Sequence, residues 1–257
     1  MTPIVAAEPT AYAKNIVTVA SGKGGVGKTW LAITLAHALA QSGRRILLFD
    51  GDLGLANVDV QLGLAPRQNL GAVVVGEVSL CDVVSRYEKG GFDIIAGRSG
   101  SGDLASLGPG RPHRLRDQLV DLAVEYDNVI TDLGAGVDLE VRALTFGRGP
   151  CLVVTSDEPT ALTDAYAFIK LTSIDQPRSD LRVVVNAAKS LGQGQLTYET
   201  IAKVCKNFLK ISPPLAGIVR HDPRIPDAIR HQTGLLTRYP SCDAASDVLQ
   251  LAAGLVD

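Results

Sequence analysis

Ile16-Val17-Thr18-Val19-Ala20-Ser21-Gly22-Lys23-Gly24-Gly25-Val26-Gly27-Lys28-Thr29 is the stretch that decides the fold. An apolar, β-branched run reads as a strand. It enters a glycine-rich turn, and a helical pattern begins at Lys28. Gly22 to Thr29 satisfies G-x-x-x-x-G-K-[ST] in the strand–loop–helix setting that this motif requires. At average residue usage, a chance match somewhere in a chain this long has odds of about one in a hundred. Glycines let backbone approach a phosphate without Cβ clashes. The amides of Gly24, Gly25, Val26, Gly27, Lys28 and Thr29 then face an anion at a helix N-terminus. Lys28 supplies an ammonium for the terminal phosphates, the Thr29 hydroxyl suits Mg²⁺, and Trp30 falls in the same nucleotide-binding shell. Together these groups ask for a nucleoside triphosphate with Mg²⁺.

Outward from this turn, short apolar runs alternate with helical patterns. Strands are expected at Asn15–Ala20, Arg45–Asp50, Gly91–Ala96, Asn128–Asp132, Cys151–Ser156, Leu181–Ala187 and Leu215–Val219. Several are continuously apolar, such as Val183-Val184-Val185, as strands covered on both faces require. Helices are expected at Lys28–Gln41, Arg111–Tyr126, Leu139–Arg148, Thr160–Thr172 and Gln195–Lys210. In the last, Ile201, Val204, Cys205, Phe208 and Leu209 mark an apolar face, and Lys203, Lys206 and Lys210 a solvated one. The pattern predicts one α/β domain over 1–257: a doubly wound, mostly parallel sheet with helices on both faces, residues 1–14 forming a flexible lead. Gly97–Pro112 reads as a surface loop. In such sheets ligands bind outside the carboxyl ends of the strands.

Carboxylates stand at those ends. Asp50 and Asp52 follow the second strand at i, i+2, on one side of an extended segment. One can hold a metal-bound water and the other orient an attacking one. Val129-Ile130-Thr131-Asp132-Leu133-Gly134-Ala135-Gly136 is an apolar strand ending in Asp, the form in which Asp132 holds a metal through water and Gly136 approaches a γ-phosphate. Asn186 ends another strand, and its amide can both donate and accept. Asp222 follows the last strand and is a candidate contact to a base.

Ser21-Gly22-Lys23-Gly24-Gly25-Val26-Gly27-Lys28-Thr29 resembles the deviant Walker A of the MinD/ParA ATPases. Asp50-Gly51-Asp52-Leu53-Gly54-Leu55-Ala56-Asn57-Val58-Asp59-Val60-Gln61-Leu62-Gly63-Leu64 resembles switch I of MinD-like proteins, closest to the FlhG type (FleN/YlxH). The resemblance runs from Asn15 to about residue 250. It implies slow Mg²⁺-dependent ATP hydrolysis in an ATP-sandwich homodimer, used as a spatial switch for flagella or the division site. Lys23 would reach the partner's phosphates, and Lys28 would hold those of its own chain. Asp52 would position the hydrolytic water, with Thr29, Asp52 and Asp132 around the metal. Asn186 would contact adenine. Thr155 to Tyr166 resembles a further family segment, in which Asp157 replaces the usual proline and Asp164 matches an aspartate that engages the signature lysine. Asn57 and Asp59 would fix the switch loop.

Composition narrows the partners. The chain has 257 residues, 46% hydrophobic and 20% charged, with 25 Lys plus Arg against 27 Asp plus Glu, a net charge of −2. Such a balance gives no overall attraction to nucleic acid, so stable DNA binding is not expected. A DNA-partition ATPase using Arg111, Arg114 and Arg116, and a nucleotide-bound but inert regulatory module, are the competing functions. Cys81, Cys151, Cys205 and Cys242 form no C-x-x-C pair and read as reduced thiols of a cytosolic protein, not iron–sulfur ligands. No stretch approaches the roughly 20 apolar residues of a membrane span. Val248, Leu249, Ala252, Leu255 and Val256 make one apolar face, but no Lys or Arg follows Arg238. That face is expected to pack on the domain, leaving polar or peripheral membrane placement to an unidentified regulatory partner.

Overall fold

The computed structural model describes residues 14–52, 54–65, 70–97, 111–138, 141–142, 145 and 149–256. The 1–14 lead, the helix expected at Leu139–Arg148 and the 97–112 loop fall mostly outside these residues. Eight strands form a sheet: β1 (Ile16–Ser21), β2 (Ile46–Gly51), β3 (Ser85–Tyr87), β4 (Phe92–Ile95), β5 (Asn128–Ala135), β6 (Pro150–Thr155), β7 (Asp180–Ala188) and β8 (Leu215–Arg220). The order is β3-β4-β2-β5-β1-β6-β7-β8. Every pairing is parallel except β3 with β4. The helices are α1 (Lys28–Gln41), α2 (Val58–Leu62), α3 (Leu70–Val75), α4 (Arg111–Ala123), α5 (Pro159–Asp175), α6 (Leu191–Val204), α7 (Arg224–Arg230), α8 (Leu235–Arg238) and α9 (Asp243–Ala253).

Period-2 alternation explains the doubly covered sheet. Val17 and Val19 of β1, Leu48 of β2, Leu152 and Val154 of β6 and Val184 of β7 pack in one core with α1 and α9. Their neighbours Leu47 and Phe49 join α4 on the opposite face. Cys151, Val153, Val183 and Val185 meet Phe168 and Ile169 of α5 there. Both sets of side chains are buried, which is why these strands read as unbroken apolar runs.

The structure corrects the reading in three places. The antiparallel edge strand β3 was not expected, because Ser85-Arg86-Tyr87 carries no apolar run. α6 begins at Leu191, capped by the Ser190 hydroxyl accepting from Gln193 N. It gives way to a π-turn at Cys205–Leu209. The wider turn rotates the residues that follow, so Phe208, assigned to the buried face, is 72% exposed while Ile201 and Cys205 are buried. At the C-terminus Val248 and Ala252 are buried against α1, and Leu249 faces outward at 38% exposure. No helix among the described residues is long and apolar enough to cross a membrane.

His37, on the buried side of α1, packs 6.2 Å from the Phe92 ring, and its Nδ1 has no partner. Burial holds its pKa below the ordinary 6.5. The native state therefore binds fewer protons than the unfolded chain, so the His37 contribution is complete above that pH and is lost as pH falls through it. A His37→Leu variant should lose less stability than the parent between about pH 7.5 and about pH 5 in urea denaturation, by at most ~1.4 kcal/mol per pH unit. Equal losses in the two proteins would show that His37 is not the linked group.

Candidate functional site

β1 delivers the glycine turn to the carboxyl edge of the sheet between its two inner neighbours, β5 and β6. Gly27 is the N-cap of α1 and sits at φ +89°, a left-handed conformation that L side chains rarely adopt. A Cβ there would also lie 2.4 Å from Asn186 Nδ2 and 2.5 Å from Trp30 Nε1. Gly22 is required for a different reason: its Cβ would lie 2.1 Å from the Asp164 carbonyl oxygen, so the turn packs directly on the backbone of α5. Asn186 Nδ2 donates to Val26 O at 2.7 Å and pins the turn from β7. Ala187, φ +55°, follows at a register shift of that strand. Ser21 Oγ donates to Lys23 O, closing the turn from within.

Three carboxylates and a lysine stand under the turn. Asp50 and Asp132 are register partners on β2 and β5, and both are buried. Burial, with Asp132 as neighbour, pushes Asp50 up to about 7. Burial raises Asp132 to about 6 against the opposing pull of Lys28, with the Thr29 hydroxyl hydrogen-bonded to it. Lys28 Nζ lies 4.0 Å from Asp132 Oδ1, beyond hydrogen-bond range, and that buried oxygen has no donor. Asp50 does not face the cleft. Its Oδ1 accepts from Asp52 N, and its Oδ2 from Asn57 N and Val58 N at 3.1 Å each, so it anchors the segment that carries Asp52. Asp52 is half-buried, accepts from Leu55 N at 2.9 Å, and lines the cleft.

The cleft measures about 840 Å³, ample for a nucleoside triphosphate. Lys23, Gly24, Gly25, Val26, Gly27, Lys28, Thr29 and Trp30 line it, with Asp52, Asn186 and Asp222. Asn186 Oδ1 is buried without a donor, an acceptor suited to an exocyclic amine. Ile225, Pro226 and Ile229 of α7 make the apolar end. The amides at one end, the unpartnered Asp132 and Asn186 oxygens, and the apolar far end together fit ATP and a divalent cation. Thr29 and Asp132 could hold the metal, with Asp52 at its edge.

Not every expected residue arrives where the motif suggested. Gly136 donates its N–H to Ser21 O at 3.0 Å, so this amide is engaged by the turn. Ala135 lines the cleft beside it. Asp222 lines the cleft too, but its carboxylate serves the fold. Against the upward push of burial, Arg224 N, Cys242 and Ala244 N hold it low. Lys23 Nζ donates to Glu158 Oε2 at 2.5 Å and Thr160 Oγ1 at 2.8 Å. Asp164, matched by resemblance to the residue that takes this lysine, meets Gly22 instead. Glu158 was missed because an exposed carboxylate before Pro159 reads as an ordinary helix start.

The sequence matches the CobQ/CobB/MinD/ParA nucleotide-binding domain over residues 17–235. The antiactivator FleN of Pseudomonas aeruginosa is 36% identical over 231 residues, covering 90% of this chain and 82% of the relative. The flagellum site-determining protein YlxH of Helicobacter pylori is 30% identical, covering 94% and 81%. The septum site-determining protein MinD of Pyrococcus horikoshii, solved with Mg-ADP, superposes with a TM-score of 0.78 at 23% identity, covering 93% and 94%. Motif, cleft and relatives agree: the chain belongs to the CobQ/CobB/MinD/ParA nucleotide-binding family, within its MinD-like FleN/YlxH branch, and is an ATPase that uses ATP and Mg²⁺.

Proposed function

We propose that this ATPase is a dimerising switch whose ATP-bound pair sets the place or number of a cellular structure, such as flagella or the division site, by acting on a regulatory protein. The observation that carries the reading is the placement of Lys23. Its ammonium stands at the cleft rim, 34% exposed, turned onto Glu158 and Thr160 and away from its own turn's floor. A cation so placed suits a triphosphate presented by a second copy.

Within one copy, the amides of Gly24 to Thr29 and Lys28 bind and orient the phosphates. When bound, Mg²⁺ neutralises charge on the phosphate oxygens, held by Thr29 and Asp132. Asp52 accepts a hydrogen bond from the attacking water and aligns it. Lys23 from the opposite copy then stabilises charge on the transferred phosphoryl group, in the manner of an arginine finger. Turnover awaits pairing of two copies and ordering of the switch segment, which makes the intrinsic rate slow.

Two variants test this scheme. Asp52→Ala should keep ATP binding, accumulate as an ATP-bound dimer in size-exclusion chromatography, and lose hydrolysis by about 100-fold or more. An unchanged hydrolysis rate would remove Asp52 from the mechanism. Glu158→Gln should free Lys23 from an exposed ion pair worth ~0.2–1 kcal/mol, lowering the protein concentration for half-maximal ATP-dependent dimerisation by up to about fivefold. A higher concentration would show instead that Glu158 helps hold the pair together.

A further inference from the structure

Gln61 falls within the switch I-like stretch, where the resemblance gives it no role, and it stands at the nucleotide cleft. It sits on α2, beside Trp30, Ile225 and Ile229 at the apolar end. Its Oε1 is buried and has no hydrogen-bond donor. An acceptor in that condition costs about 1–3 kcal/mol unless a donor arrives. The backbone of α2 is held in place. Asp50 fixes its first residue through Val58 N, Val58 and Leu62 are buried, and Gln232 Nε2 donates to Val60 O. The Gln61 backbone is held as well, its N–H donating to Asn57 O at 3.0 Å.

Position identifies the missing donor. The phosphate amides lie at the Gly24–Thr29 end, so the part of ATP that reaches Trp30 and α7 is the nucleoside. A nucleoside brings donors of two sources, the ribose hydroxyls and the adenine amine. Asn186 Oδ1 is a second buried acceptor without a donor, and Asn186 is tied to the phosphate turn through Val26 O. The cleft thus holds two such acceptors, one on β7 and one on the helix that follows the Asp52 segment.

We infer that Gln61 Oε1 accepts a hydrogen bond from a nucleoside donor of bound ATP, so that the sugar–base end of the nucleotide, and not only its phosphates, is gripped by the segment carrying Asp52. This rests on the ATPase assignment above. The contact gives that segment a reason to order around a nucleoside triphosphate and not around an inorganic polyphosphate.

Trp30 is the one tryptophan of the chain and lines the same cleft, so its fluorescence reads binding directly. Wild type, Gln61→Leu and Gln61→Glu would be titrated with Mg-ATP and with magnesium inorganic triphosphate. The Leu variant should bind ATP about tenfold more weakly, the size of one buried hydrogen bond, while its affinity for inorganic triphosphate stays at the wild-type value. The Glu variant keeps the acceptor and should stay within about threefold of wild type for ATP. On the unmodified protein, 2′-deoxy-ATP, 3′-deoxy-ATP and purine riboside triphosphate name the donor. The analogue lacking it should lose about tenfold on wild type and nothing further on the Leu variant. Equal ATP affinity of wild type and Leu variant, parallel loss of ATP and inorganic triphosphate, or three analogues all binding like ATP would each overturn the inference. Wild type that ignores ATP would overturn the ATPase assignment with it.

Discussion

Two carboxylates buried side by side, Asp50 and Asp132, with Lys28 as the nearest cation, set the terms for everything around the glycine turn. Burial raises both carboxyls, Asp132 raises Asp50 further, and Asp52 adds to the rise of Asp132. The structure divides their work. Asp50 spends its oxygens on the backbone of the Asp52–Val58 segment. Asp132 keeps one oxygen unpartnered, 4.0 Å from Lys28. A cation beside Thr29 answers that oxygen. That acceptor, with the Thr29 hydroxyl beside it, is what would suit the centre to a divalent cation brought in with a phosphate chain.

Around this centre the cleft has two walls, a rigid one and one that carries Asp52. The rigid wall is the turn itself, held by Asn186 on Val26 O and by Gly22 against α5. The other wall is the segment from Asp52 to Leu62, anchored by Asp50, whose outer residues Leu55 and Val60 are exposed at 72% and 49%. Leu55 and Lys23 line the same cleft, so in the proposed dimer a second copy would cover both. In that dimer, occupancy of the cleft and association of two copies would be linked through the same residues.

The parallel sheet was legible because its strands are covered on both faces, so that Val183-Val184-Val185 and Leu47-Leu48-Phe49 read as runs without ambiguity. The phosphate turn was legible because only glycines and one lysine at fixed spacing make it. What escaped has physical reasons too. β3 is stabilised by pairing with β4 and not by its own side chains. A π-turn is one residue's difference in hydrogen bonding, so periodicity placed Phe208 on the wrong side. Gln61 and Glu158 act through tertiary placement alone, and a single amide or carboxylate on a short helix carries no spacing to read. Gly136 matched its motif, yet its N–H serves Ser21 O, a pairing that only the parallel register of β1 and β5, with Ser21 beside Ala135, reveals.

The account stands most directly on magnesium. Calorimetric titration of the purified protein with ATP, in the presence of Mg²⁺ and then of EDTA, measures whether the carboxylate centre recruits the metal with the nucleotide. It predicts at least about tenfold tighter binding with Mg²⁺, since the metal offsets charge that Lys28 alone leaves unbalanced. Equal affinity under the two conditions would contradict it.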